Sequence, residues 1–181
     1  MGDARRGSGR RRGTLLPLAG KRVVVTRPRN RAGGLVRRLK ALGAEVVLFP
    51  VLRLRPVRVG SLRADGFSHL AFTSRTAVEL FFKNLAGGPG ALRGLRVCAV
   101  GARTAAALRE RGIRPFLVAR EFTTRGLARD LCRRGVRGAR ILHPSADRSN
   151  VEFERILRRH GARVTRRVLY RLEGGRPGGA E

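Results

Sequence analysis

From residue 21 onward the chain alternates short β-branched or apolar runs with segments of helical period, several of which stop at a glycine. KRVVVT (residues 21–26), closed by Pro28, reads as a buried strand. Residues 31–42 place Leu35, Val36, Leu39 and Leu42 at helical spacing, and Gly43 ends the helix. AEVVLFP (44–50) is a second strand, and VLRLRPV (51–57) alternates apolar and basic residues as an exposed or connecting strand does. The pattern then repeats. HLAFTS (69–74), LRVCAVG (95–101), RPFLVA (114–119), ARILHPS (139–145) and ARVTRRVLYRL (162–172) read as strands. Between them lie a helix at 76–85, a GGPG loop at 87–90, a helix at 103–112, one capped by Thr123 or Thr124 that runs through Leu131, and one capped at Ser149 that stops at Gly161. Strands separated by helices through short loops build a parallel sheet covered on both faces. The fold expected is therefore α/β, doubly wound, with flavodoxin-like strand order.

Composition narrows the chemistry. At 42% hydrophobic, the chain of 181 residues can bury a core, and with 5% aromatics and no Trp that core is aliphatic. Lys and Arg total 41 against 12 acids, a net charge of +29, and only Lys21, Lys40 and Lys83 are lysines. Such a field attracts nucleic acid, anionic surfaces or polycarboxylates. The arginines are spread along the chain rather than gathered in a block, so they read as compositional, and specific nucleic-acid binding is not expected. Cys98 and Cys132 are too few for a disulfide framework or a tetrahedral zinc site and read as buried thiols in a reducing cytoplasm. No apolar run approaches the ~20 residues of a membrane span, and the Arg-rich start lacks the apolar core of a secretory signal.

Ligands of open α/β sheets bind beyond the carboxyl ends of the strands. Those ends are polar here in a repeated way: Thr26-Arg27-Pro28, Thr73-Ser74, Gly101 through Thr104, and Pro144-Ser145 followed by Asp147, Arg148, Ser149 and Asn150. Each sets a hydroxyl or free N–H at a helix start, where anions bind. Ser and Thr at such places are most often simple caps, but several along one rim suggest a shared anion-binding edge. Arg27, Arg75, Arg103 and Arg148 would add forked donors for carboxylates. Phosphate-loop, dinucleotide, metal-ligand and nucleophile-elbow patterns are missing from the sequence. Asp147 stands alone as an acid in the 145–150 loop, so paired-carboxylate chemistry is not supported there. Tyr170 sits in the last strand, where packing is its default role, although a phenol can also act as a weak acid.

Seven segments in this order resemble the uroporphyrinogen-III synthases. KRVVVTRP is similar to the family's opening strand, and GAEVVLFPVLRLRP to its passage between lobes. FTSRTAVELFF matches its FTS-x-x-x-V helix start, and VCAVGARTAAALRERG its VG-x-x-T-A-x-A-L segment. EFTTRGLARDL, ILHPSADRSN and GARVTRRVLYRL follow, the last ending on the family's Y-x motif. No one segment is specific; their order is. The resemblance covers residues 20–172 and implies two flavodoxin-like lobes joined by two strands. On that reading residues 1–20 are a disordered basic tail and 21–50 the opening part of an incomplete first lobe. Residues 51–57 and 166–172 are the connecting strands, 58–165 a complete lobe, and 173–181 a disordered tail.

The activity implied needs no cofactor and no metal. A linear tetrapyrrole polycarboxylate, hydroxymethylbilane, loses its hydroxyl to give an azafulvene, and closes through a spiro intermediate to uroporphyrinogen III with its last ring inverted. Catalysis is then mainly the holding of one folded pose. Carried over motif by motif, Thr73, Ser74 and Thr104 are substrate-binding, joined by Thr26, Arg27 and Ser145 at the other strand ends, and Tyr170 assists departure of the hydroxyl. Family members continue past the position of Tyr170 with a second FTS-like and a second VG-x-T-like segment. The chain is therefore expected to be a truncated synthase, to give little type III product alone, and to self-associate through its incomplete lobe, whose Val23, Val25, Leu35 and Leu39 would form an exposed apolar patch.

Two other classes bear on the reading. One is a non-catalytic lobe binding polyanions such as nucleic acid; it lacks aromatic stacking positions and any nucleic-acid motif. The other is a receiver-like signalling domain, which would place clustered acids where Thr26, Thr73 and Gly101 stand.

Overall fold

The computed structural model describes residues 16–174. The tails read at 1–20 and 173–181 fall outside it except for residues 16–20 and 173–174. The chain divides into two units, one running up to Arg53 and resuming at Gly174, the other Leu54–Glu173.

In the first unit β1 (Arg22–Val25) leads through α1 (Arg29–Ala41) to β2 (Glu45–Leu48). The two strands are parallel, with Val24 opposite Val47 and Val25 opposite Leu48. Side chains alternate across a strand, so β1 buries Val25 while Val24 stays 55% exposed, and its cross-strand partner Val47 is 39% exposed. The sequence placed exposed apolar surface at Val23, Val25, Leu35 and Leu39. Val25 is instead buried and the other three are half-buried; the uncovered pair is Val24 and Val47, one residue out of phase. Residues 16–20, read as tail, form a turn in which Leu18 N donates to Leu42 O at 2.8 Å. Gly43 makes this possible: its φ is +90°, and a Cβ there would lie 2.8 Å from that of Leu16.

The second unit is one six-stranded sheet in the order β3-β8-β7-β4-β5-β6. Its elements are β3 (Leu52–Pro56), β4 (His69–Phe72), α2 (Arg75–Asn84), β5 (Arg96–Ala99), α3 (Ala102–Arg109), β6 (Leu117–Val118), α4 (Thr124–Arg133), β7 (Arg140–Ala146), α5 (Glu152–Arg159) and β8 (Arg163–Gly174). β4 pairs in parallel with β5 and β7, β5 with β6, and β7 with β8. All four residues of β4 are buried, as a central strand covered on both faces requires. Leu70 and Phe72 join a core with Val78 and Phe81 of α2 and Leu108 of α3. Ala71, one step out of phase, joins Leu127 and Leu131 of α4 and Phe153 and Leu157 of α5. Alternation in one strand thus sorts the helices, two to each face, and the doubly wound α/β class stands.

The strand order differs from the expectation. Numbered within the unit from β4 to β8, the parallel strands run 3-2-1-4-5, where a flavodoxin-like sheet runs 2-1-3-4-5. The chain winds outward from β4 through β5 to β6, then crosses back to lay β7 on the other side of β4. Hydrophobic period specifies a strand but not the side on which its neighbour lands. The crossing back makes a topological switch point between β4 and β7, where such sheets open a crevice at the strand carboxyl ends. The cap read at Ser149 is not made: the N-cap of α5 is Val151, with no side-chain cap bond, and Asn150 Oδ1, one residue earlier, accepts from Glu152 N at 2.9 Å. No helix among the described residues is long and apolar enough to cross a membrane.

Candidate active site

At the carboxyl end of β4 the chain turns through Thr73 and Ser74 into α2. Ser74 is the N-cap, extended at φ −156° and ψ 151°, and its Oγ accepts from Ala77 N at 3.0 Å. Capping is therefore part of its role, as Ser at a helix start generally implies. The same Oγ lies 2.9 Å from the Tyr170 hydroxyl. Tyr170 reaches this place through an irregularity. β7 and β8 pair residue for residue until Ser145 meets Val168, then skip one so that Ala146 meets Tyr170. Alternation of burial along β8 breaks at the same point, Leu169 and Tyr170 both being buried in succession. A bulge of this kind re-aims a side chain, and here it carries the phenol to the switch point.

Beside this pair runs a second polar chain. Thr73 Oγ1 lies 3.2 Å from His143 Nε2 of β7. His143 Nδ1 lies 3.1 Å from Glu154 Oε1 of α5. Glu154 also faces Arg158 Nη1 at 3.5 Å and Arg166 Nε of β8 at 3.9 Å. His143 and Glu154 are both buried, and the His143 ring packs against Phe153 with centroids 4.7 Å apart. The hydrogen bond from His143, helped by the charges of Arg158 and Arg166, holds the Glu154 carboxyl below its usual range despite burial. Arg166 further donates from Nε to Ser145 Oγ at 3.0 Å and from Nη2 to the carbonyls of Ala146 and Asp147. It ties down the loop that follows β7.

The expected site residues therefore separate. Thr73, Ser74 and Tyr170 come together at the switch point. Ser145 is buried behind it, held by Arg166. Thr104 is 4% exposed inside α3, without a hydrogen bond to the Ser74–Tyr170 pair among the described residues. Thr26 and Arg27 follow β1 and belong to the first unit, where both are exposed. Arg75 is engaged by Glu79 at 2.7 Å and Glu110 at 3.5 Å, which leaves it a poorer carboxylate fork than its sequence position suggested. His143, Glu154 and Arg166 were missed, because apart from Arg158, one helical turn beyond Glu154, the partners that give them meaning lie 11 to 70 residues apart. Phe122 was missed too. It is 69% exposed, and Gly101 at the end of β5 makes room for it: a Cβ there would lie 3.2 Å from the ring. Cys98 is buried and its thiol is pushed up to about 12, so it is chemically quiet. No cluster of metal-ligating side chains occurs among the described residues.

Comparison with known proteins gives the chain its relatives. Residues 34–178 match the family model described as uroporphyrinogen-III synthase HemD. The porphyrin biosynthesis protein HemD of Ruminiclostridium josui is 30% identical over 165 residues, covering 85% of this chain and 32% of that protein. The uroporphyrinogen-III synthase of Chlorobaculum parvum is 37% identical over 98 residues, 51% of this chain and 40% of that protein. The chain thus spans well under half the length of these two curated relatives. Among solved structures, a mutant uroporphyrinogen III synthase from the extremely thermophilic bacterium Thermus thermophilus superposes with a TM-score of 0.66 at 21% identity, covering 86% of this chain and 64% of that one. The uroporphyrinogen-III synthetase of Helicobacter pylori gives 0.54 at 19% identity, covering 74% and 59%. At these identities the structural likeness is one of fold.

Proposed function

Since the chain belongs to the uroporphyrinogen-III synthase family, we propose that it takes part in closing hydroxymethylbilane to uroporphyrinogen III, with its site at the switch point between β4 and β7. The observation that carries this reading is the 2.9 Å contact between Ser74 and Tyr170. Ser74 Oγ already accepts from Ala77 N. Either hydroxyl can donate across this contact, and in the mechanism proposed Ser74 gives its one proton to the Tyr170 oxygen. The Tyr170 proton is then free for the substrate. As the C–O bond of the hydroxymethyl group breaks, Tyr170 passes that proton to the departing oxygen, which leaves as water, and the N-protonated azafulvene forms, its positive charge balancing the tyrosinate. The proton released when the last ring rearomatises after closure returns to the tyrosinate, so acid and base balance over one turnover.

The remaining groups hold the pose. Backbone N–H groups at the starts of α2 and α3 face the strand-end rim and suit carboxylates. Thr73 offers a side-chain hydrogen bond, Ser145 and Arg166 fix the β7 loop, and Phe122 presents an apolar ring to pyrroles. In the first unit, Thr26 and Arg27 repeat the strand-end pattern and are proposed as carboxylate contacts of that unit. Thr104, being buried, is proposed to act by shaping the start of α3. Quiet thiols suit work in the cytoplasm.

The isomer ratio tests the proposal, because unassisted closure gives the type I isomer. Hydroxymethylbilane is incubated with the chain alone, and with the chain fused to the part of a family member that lies beyond its match. The fusion is expected to yield type III, and Tyr170→Phe in that fusion to slow its formation about 100- to 10,000-fold while the fold persists. A folded fusion that yields type I alone refutes the synthase reading.

A further inference from the structure

Thr73 sits at the mouth of the proposed site, yet its hydroxyl is engaged from behind by a buried imidazole. The direction of that hydrogen bond decides what Thr73 can bind. Glu154 is buried against Arg158 and Arg166, and an ionised carboxylate only accepts hydrogen bonds. His143 Nδ1, 3.1 Å from Glu154 Oε1, therefore carries the proton. In the neutral ring Nε2 is then an acceptor, and the group facing it at 3.2 Å is the Thr73 hydroxyl. With the imidazole neutral, Thr73 donates inward. A threonine hydroxyl has one proton, so what remains for a ligand is its lone pairs.

We propose that His143, locked by Glu154, is a positioning residue that turns Thr73 into a hydrogen-bond acceptor at the rim, selective for a pyrrole N–H of the ligand and not for its carboxylates. The inference rests on the reading of the preceding section for the ligand, but its tautomer half stands on the relay alone. It divides labour along the rim. Backbone N–H groups at helix starts take the anionic arms, and Thr73 reads the ring nitrogen that a pyrrole presents and a free carboxylate does not. The polar groups on the imidazole are Glu154 from α5 and uncharged Thr73 from the end of β4, while Arg158 of α5 and Arg166 of β8 face the Glu154 carboxylate; Phe153 covers the ring face.

Two measurements on the full chain test this. In long-range proton–nitrogen spectra of histidine-labelled protein at neutral pH, His143 is expected to show a protonated Nδ1 and a bare Nε2. A protonated Nε2 would overturn the proposal. Binding is then measured for a dipyrromethane bearing acetate and propionate arms and for its N-methylated analogue. N-methylation is expected to weaken binding to the wild type about tenfold, roughly one hydrogen bond, and to make little difference to Thr73→Val. Thr73→Ser should restore the tenfold difference. Glu154→Gln, which frees the tautomer, should shrink it. An equal N-methylation penalty in wild type and Thr73→Val overturns the ligand half. If neither probe binds the wild type, the ligand half of the proposal is overturned, while the spectrum still decides the relay and the isomer ratio of the fusion decides the synthase reading.

Discussion

Glu154 shows how much a single buried acid can organise when every neighbour answers it. Its carboxyl is held below its ordinary 4.5 by the hydrogen bond from His143 and the nearby arginines. A group whose folded value is depressed contributes stability that is fully present above its unfolded value and lost as the pH falls through the folded one. Unfolding by urea should therefore show a stability plateau above about pH 4.5 and a decline below it, and Glu154→Gln should remove part of that decline. Asp130, lowered from 3.8 by Arg120 N and Arg133, contributes in the same window and keeps the remainder. At neutral pH the variant should be less stable by about 1–3 kcal/mol, the scale of a broken buried hydrogen bond. A variant as stable as wild type at pH 7, with an unchanged acid slope, would show that the relay carries no folding energy. At this scale the sequence was legible where roles are local. Ser74 read as a cap and is one, and Thr123 caps α4 by accepting from Gly126 N at 2.9 Å. His143 carries no local signal, since its meaning depends on Glu154 of α5 and on Thr73 at the end of β4.

Among the elements, two helices carry glycines for opposite reasons. In α4, Gly126 lies in the first turn, where a Cβ would come 2.4 Å from the carbonyl oxygen of Glu121. That atom is backbone and cannot swing aside, so Gly126→Ala should destabilise the unit by about 1–3 kcal/mol, as overpacking does. In α1, Gly34 has open space where a Cβ would go. Gly34→Ala should instead stabilise its helix by about 0.5–1 kcal/mol, because glycine is the more costly residue to order in a helix. Thermal melts of the two variants should move in opposite directions; a shared sign would mean that helix propensity, not contact, governs both. Element positions were largely visible in the hydrophobic period. The β8 bulge was not, since VTRRVLYRL has no residue that marks where two buried positions must follow one another.

For the whole molecule, charge and apolar exposure oppose each other. The exposed Val24 and Val47 pair lies across the register of a sheet with only two strands, whose edges have no third strand to pair with among the described residues. Exposed apolar faces and open strand edges favour association, while a net charge of +29 resists it. We expect self-association that grows with added salt as the repulsion is screened, and a Val24→Lys variant that stays monomeric under the same conditions. Sedimentation equilibrium at low and high salt measures both. A wild-type chain that is monomeric at every salt concentration would remove the prediction.

What the sequence determined by itself was most of what depends on neighbours within a turn or a strand. That covers which segments are strands, which are helices, where glycines and caps punctuate them, and hence the doubly wound α/β class with polar strand ends. The ordered segments also carried the family. Tertiary structure alone decided which side of β4 each strand took, giving 3-2-1-4-5 with a switch point between β4 and β7. It decided that Val25 and not Val24 would be covered, and that Tyr170 would meet Ser74 across 96 positions of chain. The physical reason is the range of the forces involved. Periodicity and capping are set by bonded geometry over a few residues and leave a trace in the sequence. Strand order, bulge position and the His143–Glu154 relay are settled by packing and polar satisfaction between distant segments, which leave no local pattern behind.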